Sequence, residues 1–143
     1  MILQVHAYLA YIILALLLAS VLNASYKFFA KKAFEVLDIR LPLFTLIFAH
    51  IQVLIGLAHY FMSPAYKHMK EVGMGMAMKD AQTRLLVVEH PLIMLLAVVI
   101  ITIGFSKHKN KKTDAAKFKS IAVYYGIALI LVLSRIPWQQ WFD

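Results

Sequence analysis

Four histidines, His6, His50, His59 and His90, stand within or at the edges of long apolar runs. Arg84 and Glu89 lie just before His90, in the stretch RLLVVEHPLIM, and Arg135 closes a later apolar run. A charged or ionisable group inside an apolar span costs free energy, so it faces a bundle interior, a partner or a ligand. Imidazoles reaching in from separate helices can fill both axial positions of a b-type haem, or can hydrogen-bond neighbouring helices. Arginines at the same depth suit a cofactor carboxylate, because the planar guanidinium holds it through two hydrogen bonds. Glu89 could instead pair with either arginine and close a salt bridge inside the membrane.

The elements that must position these groups are read from hydropathy. Of the 143 residues, 62% are hydrophobic, well above the roughly 45–50% of soluble domains. Apolar runs predict four spans, roughly residues 5–25, 41–62, 85–106 and 119–138. A hydrocarbon core about 30 Å thick needs about 20 helical residues, and lipid leaves the backbone no other partner than itself. The expected fold is therefore all-α: one integral membrane four-helix bundle over 1–143, up-down-up-down. The first run has no basic residues before it and Lys27, Lys31 and Lys32 after it, so it reads as a retained helix.

Charge orients the bundle. Residues 26–40 hold four basic side chains and 107–119 hold six, which makes ten of the fifteen. Both stretches fall on one side of a four-span topology. Lysine and arginine excess marks the cytoplasmic side, so both termini and Ser63–Thr83 are expected on the periplasmic side of a bacterial inner membrane. The formal charge of +8 is then a topology signal facing lipid headgroups, and nucleic acid is not an expected partner. With no cysteine, disulfides, thiolate metal sites and covalent haem attachment are excluded. Pro42 is expected in the first turn of the second span. His68 and His108 fall in connections and are expected to be solvated. Met74, Met76 and Met78 form an adaptable apolar segment on the bundle surface, or a thioether site for copper(I).

Depth and facing constrain the histidines further. At 1.5 Å per residue, His6, His59 and His90 lie in the outer half, whereas His50 lies near the midplane. At 100° per residue His6 shares a stripe with Ala10, Leu17, Ser20 and Ala24, and His90 with Met94, Ala97 and Gly104. These small residues let helices approach closely, so both stripes are expected to face inward. Ala49, Gln52, Gly56, His59 and Ser63 make a similar stripe on the second span, with His50 on nearly the opposite face. Periodicity leaves open whether that helix is buried on two sides or one of its histidines is no ligand.

The segments HAYLAY, HIQVLIGLAHYFMSP, RLLVVEHPLI and SRIPWQQWF together resemble a family of small four-span membrane proteins from Bacteroidota, often labelled "cytochrome B". The likeness covers nearly the whole chain. His6, His50, Gln52, Gly56, Arg84, Glu89, His90, Arg135 and Trp138 match the family pattern, and His59 does not. The resemblance thus implies an inner-membrane location and prefers His50 to His59. Two of His6, His50 and His90 are then the expected axial ligands of haem b, with Arg84 and Arg135 at the propionates. Gln52, Tyr60 and Glu89 could hydrogen-bond a quinone carbonyl. The expected role is electron transfer, alone or as a small subunit, without independent catalysis, since no nucleophile, paired acid and base or phosphate loop is present. Alternatives are a cofactor-free accessory subunit of a respiratory, secretion or transport assembly, and a transition-metal site on imidazole alone. The lipid-facing surface of so short a chain also admits a membrane-protein partner or a second copy.

Overall fold

The computed structural model describes residues 1–142. The chain is an all-α membrane bundle built on four long apolar helices. The first two are α1 (Ile2–Phe29) and α2 (Val36–Met62). Three short helices follow: α3 (Pro64–Val72), α4 (Met74–Ala77) and α5 (Ala81–Arg84). A π-helical turn, Leu85–Glu89, then leads into α6 (His90–Lys109), and α7 (Asp114–Arg135) and α8 (Trp138–Phe142) complete the chain. α1 packs against α2 and α7, and α6 against α7 and α2, so the helices form a closed ring. α2 and α6 make the loosest seam of the four.

Several expectations are corrected. The Ser63–Thr83 connection is largely helical. Ser63 caps α3 by accepting from Tyr66 N, and Pro64 occupies the first turn, where its missing N–H does no harm. Asp80 caps α5; the hydroxyl and the backbone N–H of Thr83 both donate to its carboxylate and hold its pKa below the usual carboxylate range. α2 starts earlier than its apolar run, so Pro42 lies inside the helix and is buried. The Tyr125 hydroxyl donates to Pro42 O at 2.8 Å, on the turn where the ring has removed a backbone donor. The last span ends at Arg135 because Ile136, which precedes Pro137, is forced to an extended conformation.

His108 is also unlike its expectation. α6 continues through the lysines to Lys109, whose charges favour a helix C-terminus. His108 is 1% exposed, its ring lies against Phe34 and Phe105, and Nδ1 pairs with Phe105 O. His68 is exposed on α3, as are Met74, Met76 and Met78 in and after α4.

The apolar core sits in the half of the bundle nearer the lysines. It joins Leu17 and Ala24 of α1, Ala97, Ile101 and Phe105 of α6, and Phe118, Ile121, Tyr125 and Ala128 of α7. α2 contributes small or polar groups instead: Pro42, Thr45 and Ala49 are buried, and Thr45 Oγ1 lies 3.2 Å from Ser20 Oγ. α6 and α7 approach closely at Gly104, where a Cβ would fall 2.3 Å from Tyr124 Cβ. Large apolar side chains such as Leu54, Leu92, Val99 and Ile130 point outward, as lipid contact requires.

At the lysine end, Asp38 is buried with a side chain 0% exposed. It accepts from Asn23 Nδ2 at 2.8 Å, Lys27 Nζ at 2.9 Å and Glu35 N at 2.8 Å. This junction ties α1 to the start of α2. Its signal in the sequence was faint: Asn23 and Lys27 share a helical face, but nothing local places Asp38 against them.

Candidate functional site

Above the apolar core the interior turns polar, and three histidines from three helices meet there. His6 is on α1, His59 on α2 and His90 opens α6. The ring centroids of His6 and His59 are 6.0 Å apart with planes 22° from parallel. Those of His6 and His90 are 6.3 Å apart and nearly perpendicular. All three rings are half-buried.

Backbone contacts set these rings. Gln52 Nε2 donates to His6 O at 2.7 Å and so pins the first turns of α1 to α2. One turn further on, Gly56 gives the His6 ring room, since a Cβ there would lie 3.1 Å from His6 Cε1. His90 Nδ1 pairs with Arg135 O at 2.8 Å, which joins the site to the end of α7. With the proton on Nδ1, that bond leaves Nε2 with a free lone pair, the usual arrangement of a ligating histidine.

The π-helical turn decides how His90 enters. His90 N bonds to Leu85 O, five residues back. Pro91 has no N–H for the carbonyl of Val87, four residues back. The Tyr60 hydroxyl supplies that bond at 2.9 Å. Single π turns occur often at functional sites.

Among the described residues, His6 Nδ1 and Gln52 Oε1 are buried and make no hydrogen bond of good geometry, although the two side chains interact with each other. Both belong to this cluster. A buried polar atom left unpaired costs about 1–3 kcal/mol, so the cluster suits a ligand or water that completes it.

His50 is not brought to the site. It is exposed, and Nδ1 bonds to Leu46 O of its own helix at 2.8 Å. His59, which the inward stripe with Gln52 and Gly56 contains, is the α2 histidine against His6. Arg84, Glu89 and Arg135 do come together, on the outer side of His90. Glu89 lies between the arginines, with Oε2 3.1 Å from Arg84 Nε and Oε1 3.8 Å from Arg135 Nε. Arg84 Nη1 also donates to Met78 O, and Arg135 Nη1 to Ser134 O, both at 2.8 Å. An open cleft beside them is lined by Gln82, Ser134, Trp138 and Gln139 among others. Of the three groups expected to bond a quinone carbonyl, Tyr60 donates to Val87 O, Glu89 pairs with the arginines and Gln52 Nε2 donates to His6 O, while Gln52 Oε1 is an acceptor that a carbonyl oxygen cannot engage.

The donor set is compatible with iron bound by imidazole: three rings from separate helices and no competing thiolate. No cluster of three or more histidine or acidic side chains among the described residues has the geometry of a preformed site for a bare metal ion. Comparison with protein-family models, curated proteins and solved structures finds no match. What the site does must therefore be argued from its own chemistry.

Proposed function

We propose that this chain is a b-type haem protein of a bacterial inner membrane that transfers electrons, alone or as a small subunit of a larger complex. The carrying observation is the meeting of His6, His59 and His90 from three helices, with His6 Nδ1 and Gln52 Oε1 buried there and short of a well-formed hydrogen bond. Bound haem would supply reversible one-electron chemistry at its iron. The chain's part is to offer imidazole from two of these three helices, to orient His90 through the Arg135 carbonyl, and to hold the surroundings dry. The loosest seam, between α2 and α6, is where a flat ligand would separate helices at least cost. The resemblance of the segments around His6, His50, Arg84–His90 and Arg135 to the small "cytochrome B" proteins of Bacteroidota supports haem binding, and it names His50 where the geometry brings His59. In this reading both termini and α3–α5 face the periplasm, and the lysine-rich end faces the cytoplasm.

One observation favours a second reading, a cofactor-free accessory subunit. Glu89 already engages both arginines that would hold haem propionates, and the apolar exterior offers ample surface to a membrane partner. The visible spectrum of protein purified in mild detergent from cells supplied with haem separates the two. Electron transfer by haem b requires a low-spin, bis-histidine reduced-minus-oxidised signature at about one haem per chain. A colourless, folded protein would overturn it and leave the accessory role.

A further inference from the structure

A separate feature lies at the other end of the bundle. After Phe29 the chain turns out of α1 through Lys31, whose φ of 55° is the only positive value at a non-glycine residue among the described residues. Lys31 N donates to Phe28 O at 3.3 Å and Lys32 N to Lys27 O at 3.0 Å, so the turn is a Schellman-like helix stop. Glycine normally occupies its left-handed position, because a Cβ there crowds the following carbonyl oxygen. A lysine is kept despite that crowding, and such an outlier points from strain to function.

The side chains around this turn form a cationic cleft. Lys27, Phe28, Lys31, Lys32 and Ala33 line one wall, and Asp114 and Ala115, at the start of α7, line the other. Lys27 is committed to Asp38. Neither Lys31 nor Lys32 has a carboxylate partner among the described residues, and Asp114 pairs with neither. The cleft is therefore net positive with two uncommitted ammonium groups. Beside it, Tyr26 is 64% and Phe29 81% exposed at the end of a membrane-spanning helix. Lysines in a cleft and exposed aromatic side chains adjacent in sequence, at the end of a membrane-spanning helix, match the two halves of a phospholipid.

We propose that this cleft binds the headgroup of an anionic phospholipid, its phosphate between Lys31 and Lys32 and its acyl chains along Tyr26 and Phe29. The site is independent of the histidine cluster. Each lysine near an anionic surface contributes about 1 kcal/mol, so neutralising both should weaken binding roughly 20- to 30-fold.

The test is native mass spectrometry of the full chain in detergent, titrated with phosphatidylglycerol, phosphatidylethanolamine or phosphatidylcholine. Wild type should retain phosphatidylglycerol preferentially, and K31Q/K32Q should lose that preference. K67Q/K70Q, on α3 at the opposite end, should keep it. Lys31→Gly separates binding from folding: it should raise thermal stability by relieving the turn while weakening retention of phosphatidylglycerol. Equal retention of all three lipids by wild type would overturn the assignment, as would undiminished retention by K31Q/K32Q. Displacement of the lipid by millimolar inorganic phosphate would make this a free-anion site and likewise overturn it.

Discussion

The Tyr60 hydroxyl lies 2.9 Å from the carbonyl of Val87 and donates to it, on the one turn where Pro91 cannot. Through this contact α2 stabilises the π-helical turn at the head of α6. That turn carries Glu89 toward its arginines and His90 toward His6. A covalent constraint in one helix is thus answered by a side chain from another.

Tyr60→Phe should expose the consequence. Interhelical hydrogen bonds in membranes average about 0.6 kcal/mol, but Pro91 has removed the donor that Val87 O would have four residues on, so a loss of about 1–2 kcal/mol is expected. It would be read as a lower midpoint in unfolding from mild detergent by added dodecyl sulfate. An unchanged midpoint would show that the carbonyl finds another donor.

The Asp38 junction should respond asymmetrically. Lys27→Met removes the counter-charge of Asp38, which keeps only its bonds from Asn23 Nδ2 and Glu35 N, and should lower the unfolding midpoint. Asp38→Leu should cost less, because the freed Lys27 side chain, already 17% exposed, can extend to the headgroups. Equal losses in the same unfolding assay would contradict this.

Two glycines make a sharper contrast. Gly104→Ala puts a Cβ into backbone-proximal atoms of Tyr124 and should destabilise by about 1–3 kcal/mol. Gly126→Ala meets nothing within 4 Å and should be neutral or stabilising by up to about 1 kcal/mol. Similar effects at the two positions would refute the close α6–α7 crossing.

What was legible in the sequence follows from what each signal measures. Apolar runs report burial in lipid or protein alike, so the four spans could be read while their ends could not. Helical continuation to Lys109 was hidden by the lysines that decorate it, and His108 with it. Periodicity of 3.6 residues grouped Gln52, Gly56 and His59 on one face, and the structure sets that face against His6. It carries no signature of a bond five residues back, so the π turn was invisible. The Asp38 junction depends on a turn whose path is set by tertiary contacts. His50 was favoured by family resemblance over facing, and its exposed position follows the facing.

Orientation is open to a labelling experiment. Cysteines introduced singly at Lys70, on α3, and Lys111, between α6 and α7, lie at opposite ends of the bundle. In intact spheroplasts an impermeant thiol reagent should label K70C and spare K111C. The reverse pattern would invert the topology.

The central claim is that His6, His59 and His90, and not His50, make the haem site. It is tested most directly by the reduced-minus-oxidised spectra of His59→Leu and His50→Leu, each purified beside wild type. His50→Leu should keep the wild-type haem content and low-spin signature, since its ring bonds only to its own helix. His59→Leu, which removes the ring stacked on His6, should lose or shift that signature. A spectrum preserved in His59→Leu and lost in His50→Leu would contradict the account.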